Sequence, residues 1–311
     1  MERYIEKDKT KQELSGIMPP VVTPFDETGE VEPKEFRKEI EKMLSLGVSG
    51  ISVGGSTGEG QTLSDLELKQ LVEIAVETVN NKVPIIGGII TESTVQAVKR
   101  GQILKELGVK ALMVTPIHYL FSDGDNGNYS FYAEIRKKVE IPIIAYNVVP
   151  WNVISPEILV KMLKSGILFG VKQSGGDIHA LGSLLSMARR QFPIFTALDD
   201  MLFPSFALGA SGSIAAINTL LPKTSVKLYK SVVDGDYSTA LKLHEAIIPI
   251  TKKILLSDMP ARIKFVMNRT GWNVGYARKP LREPSNSIAE ELINLSKEVA
   301  KLEEEMRTGM A

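Results

Sequence analysis

Cysteine is absent from the 311-residue sequence, which excludes disulfide bonds, thiolate nucleophiles and zinc–thiolate sites. An excess of charge of either sign is also absent, because 37 basic and 37 acidic side chains balance. Without a basic excess, binding to nucleic acid or to an anionic membrane is not indicated. No apolar run reaches the ~18 residues of a membrane helix, and residues 1–13 lack the apolar core of a signal peptide. We therefore expect a cytoplasmic protein with a small-molecule ligand.

Histidine is scarce, and His118, His179 and His244 form no close pair of the kind that binds a metal. Nucleotide-binding signatures are missing as well. No Gly-x-Gly-x-x-Gly fingerprint follows the first predicted strand, and no glycine-rich turn ends in the Gly-Lys-Ser/Thr of a P-loop. The sequence thus predicts neither a metal nor an organic cofactor.

Short apolar runs alternate with amphipathic segments from Gly16 onward. Each run is apolar on both faces, as in parallel strands that are buried on both sides. Eight strand–helix units in series favour a closed (β/α)8 (TIM) barrel, a fold in which about 250 residues form one domain. An open doubly wound sheet is the alternative. The eight runs are 17–23, 50–53, 83–88, 111–115, 141–146, 167–172, 193–197 and 212–216.

Strand-like runs stop at about residue 235, and helices are predicted at 236–256, 260–270 and 286–307. The last helix carries an apolar stripe with alternating spacings of four and three residues. A stripe of only about three heptads favours packing on the barrel or on a neighbouring subunit over a free coiled coil. We predict a polar tail at 1–13, a barrel at 14–234 and a helical extension, packed on the barrel, at 235–311.

Residues at the carboxyl ends of the predicted strands form the candidate site, since active sites of (β/α)8 barrels lie there. Lys172 ends the sixth run, and a lysine in an apolar setting is costly unless it is paired or used. A desolvated amine loses its proton more readily, and a neutral amine forms an imine with a ketone. A structural lysine paired with a carboxylate explains the same position. Tyr146 ends the fifth run, where its phenol can pass protons or simply pack at the rim.

A glycine-rich turn, Gly-Gly-Ser-Thr-Gly-Glu-Gly at 54–60, follows the second run. Its backbone N–H groups and the hydroxyls of Ser56 and Thr57 can hold a carboxylate, much as glycine-rich loops bind phosphate. By itself such a turn is a weak signal. Together with Lys172 and Tyr146 it predicts a site for a 2-oxoacid.

Three motifs occur in a fixed order: Gly-Ser-Thr-Gly-Glu at 55–59, Tyr-Asn at 146–147 and Gly-Val-Lys at 170–172. With Val-Val-Thr-Pro-Phe at 21–25 and the segment 209–214, they resemble the dihydrodipicolinate synthase and N-acetylneuraminate lyase family over residues 15–285. The resemblance implies a (β/α)8 barrel with C-terminal helices, usually a homotetramer. It also implies an imine between a lysine and pyruvate.

The same resemblance implies a role for each matching residue. Lys172 is the imine-forming amine, and Tyr146 is the proton shuttle. Ser56 relays protons to Tyr146 and, together with Thr57, binds the carboxylate of the oxoacid. The further substrate-binding candidates in these motifs are Gly55, Asn147 and Ile214, the last through its carbonyl group.

Two departures from the family pattern concern the aldehyde partner. The synthases usually continue Tyr-Asn-Val-Pro-Gly-Arg-Thr, where the arginine binds the second substrate's carboxylate, but this chain has Tyr-Asn-Val-Val-Pro-Trp-Asn at 146–152. Trp151 cannot replace a bidentate carboxylate clamp. The family's Pro-Tyr-Tyr, which lends a tyrosine to the adjacent subunit, is Pro-Ile-His-Tyr at 116–119. Either His118 or Tyr119 takes that tyrosine's place.

The predicted function is a class I lyase that makes or breaks a bond next to a lysine-bound pyruvate imine. Asp199 and Asp200 lie where the neuraminate lyase branch binds sugar hydroxyls, although synthases also carry acidic pairs there. Trp151 suggests instead an aromatic or less charged aldehyde. The alternatives are a 4-hydroxy-tetrahydrodipicolinate (dihydrodipicolinate) synthase acting on aspartate semialdehyde, a sugar-acid aldolase, a non-enzymatic pyruvate-binding regulator and, disfavoured by the few histidines, a metal-dependent aldolase.

Overall fold

The structure is a computed structural model that describes residues 14–120, 122–175 and 177–308, so the predicted tail at 1–13 lies outside the described residues. Within the described residues, eight strands pair in parallel in the order β1-β8-β7-β6-β5-β4-β3-β2. Each of the eight predicted runs overlaps one strand. The strands are β1 (Gly16–Ile17), β2 (Ile51–Val53), β3 (Ile85–Ile89), β4 (Ala111–Val114), β5 (Ile143–Asn147), β6 (Gly170–Gln173), β7 (Ile194–Thr196) and β8 (Gly212–Ser213).

The chain just after β1 closes the sheet against β2. The N–H of Ser52 donates to the carbonyl of Pro19, and the N–H of Val21 donates to the carbonyl of Ser52, both at 3.0 Å. Strand follows strand around a complete circle, so that no strand edge is left open at this seam. The predicted (β/α)8 barrel is confirmed, and the open doubly wound sheet is excluded.

Helices cover the outside of the barrel, and single helical turns at Gly60–Thr62 and Asp199–Met201 follow β2 and β7. Sequence signals start several of these helices: Ser64 and Glu67, for example, exchange hydrogen bonds in a capping box. The helices are α1 (Pro33–Ser45), α2 (Asp65–Val79), α3 (Thr94–Glu106), α4 (Gly124–Val139), α5 (Pro156–Lys164), α6 (Ile178–Ala188), α7 (Leu202–Ala207), α8 (Ala216–Leu220), α9 (Pro222–Val233), α10 (Tyr237–Ile254), α11 (Met259–Arg269) and α12 (Asn286–Thr308).

Two apolar clusters form the core. The larger one lies between the strands and the helices, and the smaller one fills the inside of the barrel. Since alternate residues of each strand point inward, β3, β4, β5 and β7 contribute side chains to the inner cluster, together with residues next to β1 and β8. It includes Met18, Ile86, Met113, Ile144, Tyr146, Phe195 and Ile214.

The C-terminal helices pack on the rest of this chain. Helix α12 contacts α10 and α11 and buries Leu292 and Val299 of its apolar stripe. Leu292, Ile250 and Ile254 belong to the same cluster as the outer faces of the strands. One hydrophobic core therefore spans the barrel and the C-terminal helices. The division of the chain between residues 234 and 235 stays a proposal. No helix in the described parts is long and apolar enough to cross a bilayer.

Candidate active site

Lys172 lies on β6, inside the barrel. It pairs in register with Tyr146 on β5 and Phe195 on β7, and both neighbours belong to the inner cluster. Its side chain is therefore directed inward, and the residue is 3% exposed. Its Nζ lies 3.6 Å from the centroid of the Tyr146 ring. Among the described residues, no hydrogen bond or ion pair engages this amine, so a structural lysine paired with a carboxylate does not fit the geometry.

The phenol of Tyr146 connects the amine to the turn after β2. The hydroxyl of Ser56 donates to the Tyr146 Oη at 3.4 Å, a long hydrogen bond between two groups that can each pass on a proton. Tyr146 is itself buried and in contact with Lys172. The three predicted catalytic residues thus form one continuous chain of contacts.

The last residue of the turn at 54–60, Gly60, occupies a position where only glycine fits. A Cβ on Gly60 would come within 2.0 Å of the carbonyl oxygen of Gly54, and the Gly60 N–H donates to the carbonyl of Gly55 at 3.0 Å. Gly55 and Thr57 are both buried. The backbone is consequently folded tightly and holds its small polar groups in a fixed direction.

Asp199 and Ile214 come from the ends of β7 and β8. The Asp199 carboxylate accepts the N–H of Ile217 at 2.6 Å, and the N–H of Ile214 donates to the carbonyl of Thr196 at 3.1 Å. Burial raises the pKa of Asp199 to about 6, although the bond from Ile217 and the positive charge of Lys172 lower it. Asp199 is therefore a buried carboxyl group that interacts electrostatically with Lys172 without a direct ion pair.

Asn147 directs its amide to the protein. Its Nδ2 donates to the carbonyl of Ile154 at 3.0 Å and to the Gln173 side chain at 3.1 Å, while its Oδ1 accepts the N–H of Ile154 at 2.9 Å. These bonds hold the loop at 148–154 against β6. The structure gives Asn147 this bracing role, and its contact with substrate stays a prediction.

His118 and Trp151 meet on the rim. The Nε2 of His118 lies 2.6 Å from Glu92, whose other carboxylate oxygen accepts the N–H groups of His118 and Tyr119. The indole N–H of Trp151 donates to the carbonyl of His118 at 2.9 Å. His118 is thereby anchored, whereas Tyr119 is 66% exposed. Of the two candidates for the family's inter-subunit tyrosine, Tyr119 alone has its side chain largely in solvent.

Comparison with known proteins shows relatives along nearly the entire chain. The sequence model of the dihydrodipicolinate synthetase family matches residues 13–299. The chain belongs to this family. A 4-hydroxy-tetrahydrodipicolinate synthase of Bartonella bacilliformis is 32% identical over 90% of this chain and 96% of its own length.

Solved structures agree with the sequence match. A dihydrodipicolinate synthetase described as putative, from Pseudomonas aeruginosa, superposes with a TM-score of 0.88 at 28% identity and covers 92% of this chain and 99% of its own. Dihydrodipicolinate synthase from Thermotoga maritima gives 0.87 at 27% identity, with 92% and 98% covered. The predicted family, barrel and reaction class, a lyase of the aldolase and synthase group, are confirmed.

The segment at 148–152 forms the rim after β5. Val149 and Asn152 are buried, and the Asn152 amide donates to the carbonyl of Ile117 at 2.8 Å while Trp151 stays exposed. The loop is thus tied to the segment after β4. Lysine and arginine are absent from the segments that follow the strand ends at 18–25, 54–60, 90–93, 115–120, 148–155, 174–175, 197–201 and 214–216. Lys172 is the one lysine or arginine that the strands and these segments supply. Arg100 of α3 reaches the end of β3, where it donates to the carbonyl of Ile90, but it is engaged by Asp65 at 2.8 Å.

Sequence reasoning missed a buried ion pair behind the turn. Glu59 and Lys264 are almost inaccessible to solvent, and the Lys264 Nζ lies 2.6 Å from the Glu59 carboxylate. Glu59 was part of the recognised motif, but its partner is 205 residues away. One local signal existed: Lys264 stands among the buried residues 261–267 of α11, where a charge needs a partner.

Proposed function

We propose that this family member is a class I aldolase or synthase in which Lys172 forms an imine with pyruvate. The observation that carries the proposal is a buried amine, unpaired among the described residues, in contact with Tyr146 and, through it, with Ser56. The neutral Nζ attacks the ketone carbon C2, and the resulting carbinolamine loses water to give the protonated imine. Ser56, Thr57 and the backbone of the turn at 54–60 bind the pyruvate carboxylate.

Tyr146 and Ser56 move the protons of this sequence. The phenol delivers the proton with which the carbinolamine hydroxyl leaves as water, and then accepts a proton from C3 to give the enamine. The enamine carbon attacks the aldehyde carbon, whose oxygen takes up that proton to become a hydroxyl. Hydrolysis of the product imine restores Lys172, and the reverse order of steps cleaves the same bond.

The acceptor half of the site favours an uncharged aldehyde. A carboxylate on the second substrate would find no arginine or second lysine in the strands or the segments after them, and Arg100 near the end of β3 is engaged by Asp65 and Lys264 by Glu59. Hydroxyl groups, in contrast, can donate to Asp199. The second candidate is condensation of pyruvate with aspartate semialdehyde, which the name of the Bartonella bacilliformis relative supports.

We further propose a cytoplasmic homo-oligomer, a dimer or a tetramer, that needs no cofactor. The large exposed side chains of Tyr119, Leu120 and Trp151 near the mouth support packing of a second copy there. Sedimentation velocity of the purified chain tests the assembly. A monomer at micromolar concentration would contradict it.

Borohydride trapping tests the imine. We expect pyruvate plus borohydride to inactivate the protein and to place one reduced adduct on the peptide that contains Lys172. The control variant Lys172→Arg should show neither adduct nor turnover, while the exposed-lysine variant Lys110→Arg should behave as the wild type. An adduct on another lysine, or activity that persists in Lys172→Arg, would sink the proposal.

An aldehyde screen with saturating pyruvate separates the two candidate functions. We expect faster turnover with hydroxylated or aromatic neutral aldehydes than with aspartate semialdehyde. The opposite ranking would assign the synthase reaction to this chain in spite of its rim.

A further inference from the structure

The pyruvate-binding turn is held from behind by a residue of the C-terminal helices. Glu59 occupies the last position of the Gly-Ser-Thr-Gly-Glu motif, has a left-handed φ of 56° and is fully buried. One of its carboxylate oxygens lies 2.6 Å from the Nζ of Lys264, and the other accepts the N–H of Arg278 at 2.8 Å. Glu59 therefore points into the protein between the barrel and α11, and both its oxygens are bonded.

Lys264 uses all the hydrogen atoms of an ammonium group. Besides Glu59, its Nζ donates to the carbonyls of Thr23 at 2.5 Å and Tyr276 at 2.6 Å. A neutral amine has only two hydrogens and would leave one acceptor unpaired, so the geometry requires the charged form. Burial lowers the pKa of Lys264, and the charge of Glu59 opposes this effect. One ammonium thus joins the turn after β2, the loop after β1 and the segment at 274–278.

Two more bonds fix the same loop. The hydroxyl of Thr23 donates to the carbonyl of Gly58, inside the pyruvate-binding turn, at 2.7 Å. The N–H of the preceding residue, Val22, donates to the buried carboxyl group of Glu39 at 3.0 Å. Movement of Lys264 would therefore be transmitted to the turn both through Glu59 and through Thr23.

Stability alone does not explain this pair. Burying two charges removes their hydration, and apolar residues of similar volume often replace such pairs without loss of stability. What an apolar pair cannot supply is direction, since dispersion contacts do not fix a backbone as hydrogen bonds do. The turn that the pair holds carries Ser56, whose hydroxyl must stay within reach of Tyr146 at a contact that is already 3.4 Å long.

We propose that Lys264 is a positioning residue for pyruvate: through Glu59 and Thr23 it keeps the turn at 54–60 in the geometry that binds the substrate carboxylate. This inference rests on the proposed function. It couples α11, which lies outside the barrel, to the binding of the first substrate. Loss of the Lys264 ammonium group is expected to weaken pyruvate binding more than it slows the later steps.

The test measures half-saturating pyruvate by borohydride trapping, together with KM and kcat, in Lys264→Met. We expect half-saturating pyruvate and KM to rise roughly 10- to 100-fold, the effect of losing one hydrogen bond to a charged group, with a smaller change in kcat. The matched control is Arg262→Met on the same helix, which breaks a mostly buried ion pair with Asp258 at 2.7 Å without touching the turn. It should lower stability and leave the pyruvate dependence unchanged.

A milder variant covers the case in which Lys264→Met does not fold. Thr23→Val removes only the bond to Gly58 and should raise half-saturating pyruvate by about fivefold, the effect of one hydrogen bond. Its control is Thr78→Val on α2, away from the turn, which loses a 2.6 Å bond to the Ile74 carbonyl and a 3.1 Å bond from Arg37. If folded Lys264→Met and Thr23→Val both trap pyruvate as the wild type does, the positioning role is refuted. If the wild type itself fails to trap pyruvate on Lys172, the proposed function is refuted instead.

Discussion

Glu39 gives the protein a stability that depends on pH. This carboxyl group on α1 is buried, and while one oxygen accepts the N–H of Val22 at 3.0 Å, the other has no partner among the described residues. Burial raises the pKa of Glu39 from 4.5 to about 8, against the lowering effects of the Val22 bond and the charge of Lys264. At neutral pH the folded protein therefore keeps a proton on Glu39.

The sign and size of the effect follow from linkage. In the unfolded chain Glu39 ionises near its ordinary pKa of 4.5, whereas in the folded protein it ionises at about 8. The stabilising contribution of this group is therefore complete below pH 4.5 and is lost as the pH rises to 8. Each pH unit within this window removes about 1.4 kcal/mol, so that the loss between about pH 5 and about pH 8 is about 4 kcal/mol.

Urea unfolding of wild type and Glu39→Gln at about pH 5 and about pH 8 measures this quantity. Glutamine cannot ionise. The free energy of unfolding of Glu39→Gln, relative to that of the wild type, should therefore increase by about 4 kcal/mol from the lower to the higher pH. Glu41→Gln, an exposed carboxylate on the same helix, is the control and should follow the wild type. Parallel pH profiles for the wild type and Glu39→Gln would refute the reasoning, because they would mean that Glu39 titrates alike in both states.

Three further substitutions probe the site, and a fourth serves as a control. Tyr146→Phe should lower kcat by about 10²–10⁴-fold, the usual contribution of general acid–base catalysis, and unchanged steady-state rates would contradict its role as the shuttle. Gly60→Ala places a Cβ 2.0 Å from a backbone oxygen and should destabilise the fold by about 1–3 kcal/mol in urea unfolding. Gly182→Ala on α6, where a Cβ meets nothing within 4 Å, should not be destabilising, and equal effects of the two would contradict the packing argument. Trp151→Phe removes the bond to His118, and it should change the KM for the aldehyde but not the KM for pyruvate. A shift in the pyruvate KM alone would contradict the assignment of this loop to the aldehyde.

Local sequence patterns predicted the barrel and brought together the residues of the proposed imine-forming half of the site. Parallel strands that are buried on both faces give short, wholly apolar runs, and each observed strand overlaps such a run. The positions of Lys172 and Tyr146 at the ends of neighbouring runs, and the glycine-rich turn at 54–60, follow from the same local order. In a barrel the carboxyl ends of all strands meet at one end, which suffices to bring these residues together.

Only the tertiary structure determined which contacts hold these residues in place. The sequence left His118 and Tyr119 as equal candidates, and the contacts with Glu92 separated an anchored histidine from an exposed tyrosine. The pairing of Glu59 with Lys264 joins positions 205 residues apart. Neither hydrophobic periodicity nor motif spacing extends over such a distance, because partners of this kind are set by how the C-terminal helices dock on the finished barrel. The sequence by itself thus determined which groups are proposed to do the chemistry, and the tertiary structure determined what keeps them in place.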